Sequence, residues 1–501
     1  MTSTLWQENY YEYIEELGAD RDGYVLTNFP YLNNGPKDLI GNSGKGKEYA
    51  YRSYFGRVMY SYADRYLFQA NIRHDGSSRF AKKHRWGTFP SFSAGWVLSE
   101  ENFMKNLNWE WLSFLKIRAT WGALGNERIG DFPYMSTIAF GNTIFYQNNG
   151  IYFDQTASQQ KYAIENVTWE KTESTDIGLD ISFLNNRLRV NGDYYWKNTK
   201  DMLLAMAIPD FLGFSDPDVN AGKMSTKGYE LNVSWNDHIG DFSYGIAINF
   251  SDFTSKMGDL QGTQFLGDKV KMEGSEFNEW YGYVSDGLFL TEEDLKNSPK
   301  INDKNTQLGD IKYKDISGPD GVPDGKISPE YDRVLLGSSL PHFLYGGNIN
   351  LGYKNFDLSL AFQGVGKQNA RLAREMVEPF RNNYGNFPAI IDGNYWSPYN
   401  TDEQNAVAKY PRLTHVNKSS NYAMSDYWLF NGGYFRLKNI TLGYTFPKEW
   451  MNAIGIKGAR IYASASDLFC LSKYPKGWDP EMGVSEYPIT TSILLGVSVN
   501  F

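Results

Sequence analysis

Along most of this chain, apolar residues alternate with polar or small ones. In DIGLDISFL the apolar positions are Ile177, Leu179, Ile181 and Phe183. A period of two belongs to a strand with one apolar face. After the turn LNNR, Leu188, Val190, Tyr194 and Trp196 continue the pattern. Tyr229, Leu231, Val233 and Trp235 alternate next, and beyond NDHIGD come Phe242, Tyr244, Ile246, Ile248 and Phe250. Phe343, Tyr345, Ile349, Leu351 and Tyr353 are followed by the turn KN and then Phe356, Leu358, Leu360 and Phe362. Each pair reads as a hairpin whose turn carries Asn, Asp or Gly, residues that tolerate positive φ. The chain closes on ITTSILLGVSVNF, with Ile493, Leu495, Val497, Val499 and Phe501 on one face. Chain ends fray in water, so an apolar face kept to the last residue implies something to pack against.

Thirteen candidate strands follow, near 53–63, 65–75, 88–98, 112–124, 170–184, 188–198, 224–236, 241–252, 341–353, 355–366, 430–446, 458–468 and 490–501. Their connections alternate in length. Short ones fall at 64, 99–111, 185–187, 237–240, 354 and 447–457, and long ones at 76–87, 125–169, 199–223, 253–340, 367–429 and 469–489. In an up-and-down antiparallel sheet, alternate connections emerge at the same rim, so the long loops gather on one side. Outer-membrane barrels look like this, whereas Greek-key sandwiches give no such parity. The expectation is an all-β transmembrane antiparallel up-and-down β-barrel. Residues 1–52 read as an outer loop and partial strand region, and 53–501 as an incomplete barrel. The closing strand would turn Val497, Val499 and Phe501 toward lipid, with Phe501 in an aromatic girdle on the short-turn side.

Composition sharpens this. Aromatic residues make up 16% of the chain, yet mean hydropathy is −0.50, and no stretch approaches the roughly 18 apolar residues of a membrane helix. In a membrane barrel, outward apolar and inward polar positions cancel in any window. Net charge is −9, which argues against nucleic acid as a partner. A single cysteine, Cys470, excludes an internal disulfide. The start, MTSTLWQENYYEYIEELGAD, has no basic segment followed by an apolar core and is not a signal peptide; a barrel reading therefore expects a mature or truncated piece.

Candidate chemistry lies in the long loops. DISGPDGVPDGKISPE offers Asp315, Ser317, Asp320, Asp324 and Glu330, oxygen ligands among glycines that suit a structural Ca²⁺; the other reading is a plain turn-rich loop. Trp280, Tyr281 and Tyr283, with Tyr395, Trp396 and Tyr399, sit beside Asn and Asp. Such rings could stack on sugars, or they could pack the loops. The basic segment 71–85, with Arg73, Arg79, Lys82, Lys83, His84 and Arg85, suits either an anionic ligand or a solvated loop. The histidines 74, 84, 238, 342 and 415 form no close ligand pair, no Ser-His-Asp grouping or GxSxG is visible, and GNSGKGK at 41–47 lacks the ending of a phosphate loop. No enzyme is indicated.

Longer blocks carry a resemblance. YLFQANIRHDGSSRFAKKHRWGTFPSFSAGWVLSEENF (66–103), VTWEKTESTDIGLDISFLNNRLRVNGDYYWKNTKDML (167–203), NAGKMSTKGYEL (220–231), WYGYVSDGLF (280–289), GDIKYKDISGPDG (309–321) and YFRLKNITLGYTFP (434–447) together resemble SusC/RagA-like TonB-dependent transporters. The resemblance implies a plugged barrel of about 22 strands, import of an oligosaccharide or peptide across the outer membrane of a Bacteroidota-type Gram-negative bacterium, a SusD-like surface lipoprotein as lid, and TonB acting through an N-terminal segment. Signal, TonB box and plug have no counterpart in these residues, so the chain is expected to be the C-terminal barrel portion of a longer or split transporter. A non-transporting fragment, an outer-membrane enzyme or adhesin, and an extracellular carbohydrate-binding β-protein are the alternatives.

Overall fold

The computed structural model describes residues 1–501 apart from 26, 39, 148, 149, 160, 207, 263, 265, 382–386 and 483–485. Its main element is a sheet of fourteen strands whose spatial order is their order along the chain. We number them β1 (Thr2–Arg21), β2 (Ile40–Tyr62), β3 (Tyr66–Ser77), β4 (Trp86–Val97), β5 (Leu112–Asn126), β6 (Glu170–Phe183), β7 (Leu188–Lys200), β8 (Met224–Ile239), β9 (Phe242–Met257), β10 (His342–Tyr353), β11 (Phe356–Lys367), β12 (Tyr434–Thr445), β13 (Gly458–Ser472) and β14 (Ser492–Asn500). Among the described residues no helix is long and apolar enough to cross a membrane. The chain divides into two compact units: residues 1–96, 118–175 and 197–224, and residues 97–117, 176–196 and 225–501.

The first unit corrects the sequence reading of residues 1–52. β1 pairs antiparallel with β2 without interruption, from Thr2↔Met59 to Arg21↔Ile40. The strand count is therefore fourteen, not thirteen, and the strand expected at 53–63 begins at Ile40. A transmembrane strand needs only about 9–11 residues. At about 3.3 Å per residue, twenty residues far exceed the hydrocarbon layer, so much of this pair needs no apolar face. That is why WQENYYEYIEELGADR, with acids among its aromatics, showed no period of two. β2 turns into β3 through Ala63 and Asp64, both with positive φ (52° and 53°), the geometry of a tight hairpin. Registers then stack rows across the strands: Phe55↔Arg73↔Phe89 and Arg57↔Asn71↔Ser91 on one face, Val58↔Ala70↔Phe92 on the other. A small core of Phe80, Phe89, Ile129, Val167 and Trp169 closes the end of this unit. Trp169 Nε1 donates to the Arg85 carbonyl at 2.9 Å.

In the second unit the rows are regular. Ile246, Ile349, Leu360, Ile440, Ala465 and Ile493 form one row across β9–β14, and the next row is Gly245, Asn350, Ser359, Thr441, Ser464 and Leu494. One face is apolar and the other mostly polar, as the alternation required. On β14 the apolar residues Ile493, Leu495 and Val497 are 76%, 82% and 70% exposed, which in water would be costly and in lipid is favourable. Val499 pairs with Ala459, and Phe501 lies just past the strand, exposed.

The long connections are not bare loops. The one between β5 and β6 carries a hairpin, Ile138–Gln147 with Gly150–Gln159. Those at 258–341 and 368–433 carry short strands and helices around their own core.

Candidate functional site

A cavity of about 1360 Å³ opens within the first unit. Its walls come mainly from β2–β5, with Trp6 of β1, Glu127 and Arg128 just past β5, and Trp169 and Ser174 around the start of β6. Phe55 and Arg73 are register partners, as are Arg57 and Asn71, so their side chains stand side by side on one face. Arg73 Nη2 donates to Tyr51 Oη (2.6 Å) and Ser53 Oγ (3.2 Å), and its Nε donates to Asp75 Oδ2 (3.2 Å). Its guanidinium lies 5.2 Å from the Phe55 ring centroid, and Trp6 sits 5.2 Å from that ring. Arg57 Nε donates to Asn71 Oδ1 at 2.7 Å, and Asn71 Nδ2 donates to Ser91 Oγ at 3.0 Å. Arg57 has no carboxylate partner among the described residues, and the Arg128 side chain has no polar partner there. Glu127 accepts from Tyr49 Oη through Oε1, while its Oε2 is buried without a hydrogen-bond partner.

Beside the cavity, Arg79 Nε and Lys47 Nζ hold Asp131 at 3.0 Å each. Burial pushes the Asp131 carboxyl up, but the hydrogen bonds from Arg79 and Lys47 outweigh it and hold the group below the usual carboxylate range. Arg79 also lies 4.5 Å from the Tyr49 ring centroid. Of the basic segment named from sequence, Arg73 and Arg79 line the cavity. His74 stacks on Trp86 at 4.7 Å on the opposite face, and Lys82, Lys83, His84 and Arg85 lie beyond β3.

The second unit holds the other candidates, in a body built from the 258–341 and 368–433 connections. Its core includes Tyr283, Leu288, Ile311, Tyr313, Val377 and Trp428. Tyr422 stacks on Trp428 at 5.1 Å, and burial pushes the Tyr313 and Tyr422 hydroxyls well up. Two fully buried aspartates organise the polypeptide. Asp332 accepts from the amides of Ile316, Ser317 and Ser328. Asp310 accepts from Arg412, Asn417 and Asn421.

This body separates the six loop aromatics. Tyr283 is 7% exposed and belongs to the core, which corrects its candidacy as a ligand contact. Trp280 Nε1 donates to the Asn369 carbonyl at 2.5 Å, and Lys269 lies over its ring at 4.6 Å. Arg333 covers Tyr281 at 4.5 Å. Tyr395 meets Phe387 edge-on, and Trp396 packs against Gly309, where any Cβ would collide with it. Tyr399 alone is fully presented, at 95% exposure. In the calcium candidate, Asp315 Oδ2 accepts from the Gly325 amide at 2.5 Å and Asp324 Oδ1 from the Lys326 amide at 3.0 Å. Asp320, Asp324 and Glu330 are exposed, and among the described residues no group of three or more His, Cys, Asp or Glu side chains is gathered for a metal. Arg57 and Arg128 escaped the sequence reading. The available signal for Arg57 was a charge inside a strand, at a position of the lumen-facing parity.

The comparisons agree with this geometry. The family model described as TonB dependent receptor-like, beta-barrel matches residues 2–468. The TonB-dependent receptor SusC of Bacteroides thetaiotaomicron is 32% identical over 468 residues, covering 90% of this chain and 43% of that protein. The TonB-dependent receptor P3 of Formosa agariphila is 31% identical over 453 residues, covering 86% of this chain and 42% of that one. The chain spans about half the length of the curated relatives it matches. The structure of the RagAB peptide transporter superposes with a TM-score of 0.78 at 22% identity, over 100% of this chain and 53% of that one, a likeness of fold. With its ordered antiparallel strands and its match over residues 2–468, this chain belongs to the TonB-dependent receptor β-barrel family, as a SusC/RagA-like barrel portion.

Proposed function

We propose that this chain supplies the wall and outer loops of an outer-membrane nutrient importer. Oligosaccharide or peptide would be taken up in partnership with a SusD-like lipoprotein and powered through TonB. The observation that supports the reading is the two-faced sheet. Apolar rows such as Ile246–Ile349–Leu360–Ile440 alternate with polar rows such as Asn350–Ser359–Thr441, while long connections such as 258–341 and 368–433 alternate with short ones such as 240–241 and 354–355. A lipid-facing exterior with a polar inner face suits passage of a hydrophilic solute. The folded body of the 258–341 and 368–433 connections suits a firm seat for a lid, and Tyr399 on it suits a ligand or lid contact. No bond-making chemistry enters, so the reading is transport rather than catalysis. Disruption of the coding region in the source bacterium, followed by uptake assays with defined oligosaccharides and peptides, tests it. Loss of uptake of one solute class, restored by complementation, is expected. Unchanged uptake of every solute, or recovery of the chain in the soluble fraction, would overturn it.

A further inference from the structure

Within a chain of net charge −9, the first unit's cavity concentrates positive charge. Its lining holds Arg57, Arg73, Arg79 and Arg128 against the carboxylates Asp75 and Glu127 only. Arg79 and Arg73 are committed to Asp131 and Asp75. Among the described residues Arg57 uses Nε alone, on Asn71, and the Arg128 side chain has no polar partner. A guanidinium left with its fork open matches carboxylate or sulfate oxygens two at a time. Beside these cations stand Trp6 and Phe55, flat faces on which a sugar ring packs. Asn71 and Ser91 are polar partners for ring hydroxyls. A peptide would ask instead for apolar side-chain pockets.

We infer that the cavity lined by Arg57, Arg128, Trp6 and Phe55 binds an acidic oligosaccharide, one whose sugar units carry carboxylate or sulfate. This rests on the importer reading and names its substrate class. The binding is electrostatic in part, so it weakens as salt screens the arginines.

The test is calorimetry on the full chain in detergent, together with whole-cell uptake, using oligogalacturonate, a sulfated oligosaccharide, neutral maltooligosaccharide and oligoglutamate. Arg57→Ala with Arg128→Ala is compared with the lysine pair Arg57→Lys with Arg128→Lys. Neither arginine is buried or ion-paired, so folding is spared. Acidic saccharide should bind and weaken about tenfold per alanine, partly recover with lysine and fall with added salt. Binding and uptake of the neutral saccharide or of oligoglutamate alone would overturn the inference and leave the importer standing. So would acidic binding indifferent to both arginines. Loss of all uptake dependence on the gene would sink the importer reading itself.

Discussion

Arg412 grips Asp310 with two prongs, Nε to Oδ1 at 2.7 Å and Nη2 to Oδ2 at 3.1 Å, and Asp310 is wholly buried. The two residues belong to different long connections, and Asn417, Asn421 and the Gln307 amide also donate to the aspartate. Removing one partner of a buried pair leaves an uncompensated charge, at about 3–5 kcal/mol. Arg412→Ala should therefore open the loop body while sparing the sheet. Limited proteolysis should cut within 290–420 in the variant, and the heat-modifiable gel migration of the wall should persist. Equal resistance to protease would refute the assignment.

Asp131 gives a pH signature. Its folded-state pKa lies below the ordinary value because Arg79 and Lys47 hydrogen-bond to the anion. The stabilisation is fully present above the ordinary aspartate pKa of about 4 and fades as pH falls through the lowered value. Asp131→Asn should lower the urea midpoint at pH 7, and the gap from the parent should close on acidification. A gap that stays constant down to about pH 2 would sink the linkage.

Gly282 lies where the strand 279–283 passes Met424. A Cβ there would collide with the Met424 carbonyl, the same group that accepts from the Tyr283 amide at 2.9 Å. Overpacking of this kind costs about 1–3 kcal/mol. Gly282→Ala should loosen the loop body and raise hydrogen exchange at Tyr283. Alanine at Gly240, where nothing lies within 4 Å, strains only the backbone and should leave exchange at Tyr283 unchanged.

The two faces of the sheet should respond differently to charge. Leu495 is apolar and 82% exposed, in the row of Leu351, Leu358 and Leu442. Arginine on a lipid face costs about 2–4 kcal/mol near the midplane. Leu495→Arg should reduce assembled barrel in outer membranes, whereas Ser359→Arg, in the polar row, should be tolerated. Equal assembly of both variants would mean that lipid does not cover the Leu495 face.

The wall was legible because lipid and lumen demand strict alternation, and Ile349, Leu351, Leu358 and Leu360 obey it. β1 was not, because its outer half answers to neither solvent: Glu15 shares a face with Tyr11 and Tyr13, and Glu12 and Glu16 lie on the other. The loop body was hidden for another reason. Tyr283 and Trp396 look like ligand aromatics in sequence, and only the tertiary meeting of two connections puts Tyr283 in a core and packs Trp396 against it. Asp310 and Arg412 are a hundred positions apart, and no local spacing joins them. The cavity was half visible, through Arg73 and Arg79, while Arg57 lay unremarked in the strand read at 53–63 and Trp6 lay in the segment read as an outer loop and partial strand region.

The uninterrupted pairing of β1 with β2 limits how this protein can change over generations. Each rung from Thr2↔Met59 to Arg21↔Ile40 fixes the next, so gaining or losing one residue in either strand would swap faces for everything beyond it. Length variation here must come in matched, even steps on both strands, or be confined to the 22–39 connection. Trp6 and Phe55 would then keep their facing in descendants whose rims differ in height, while the tip between the strands drifts freely.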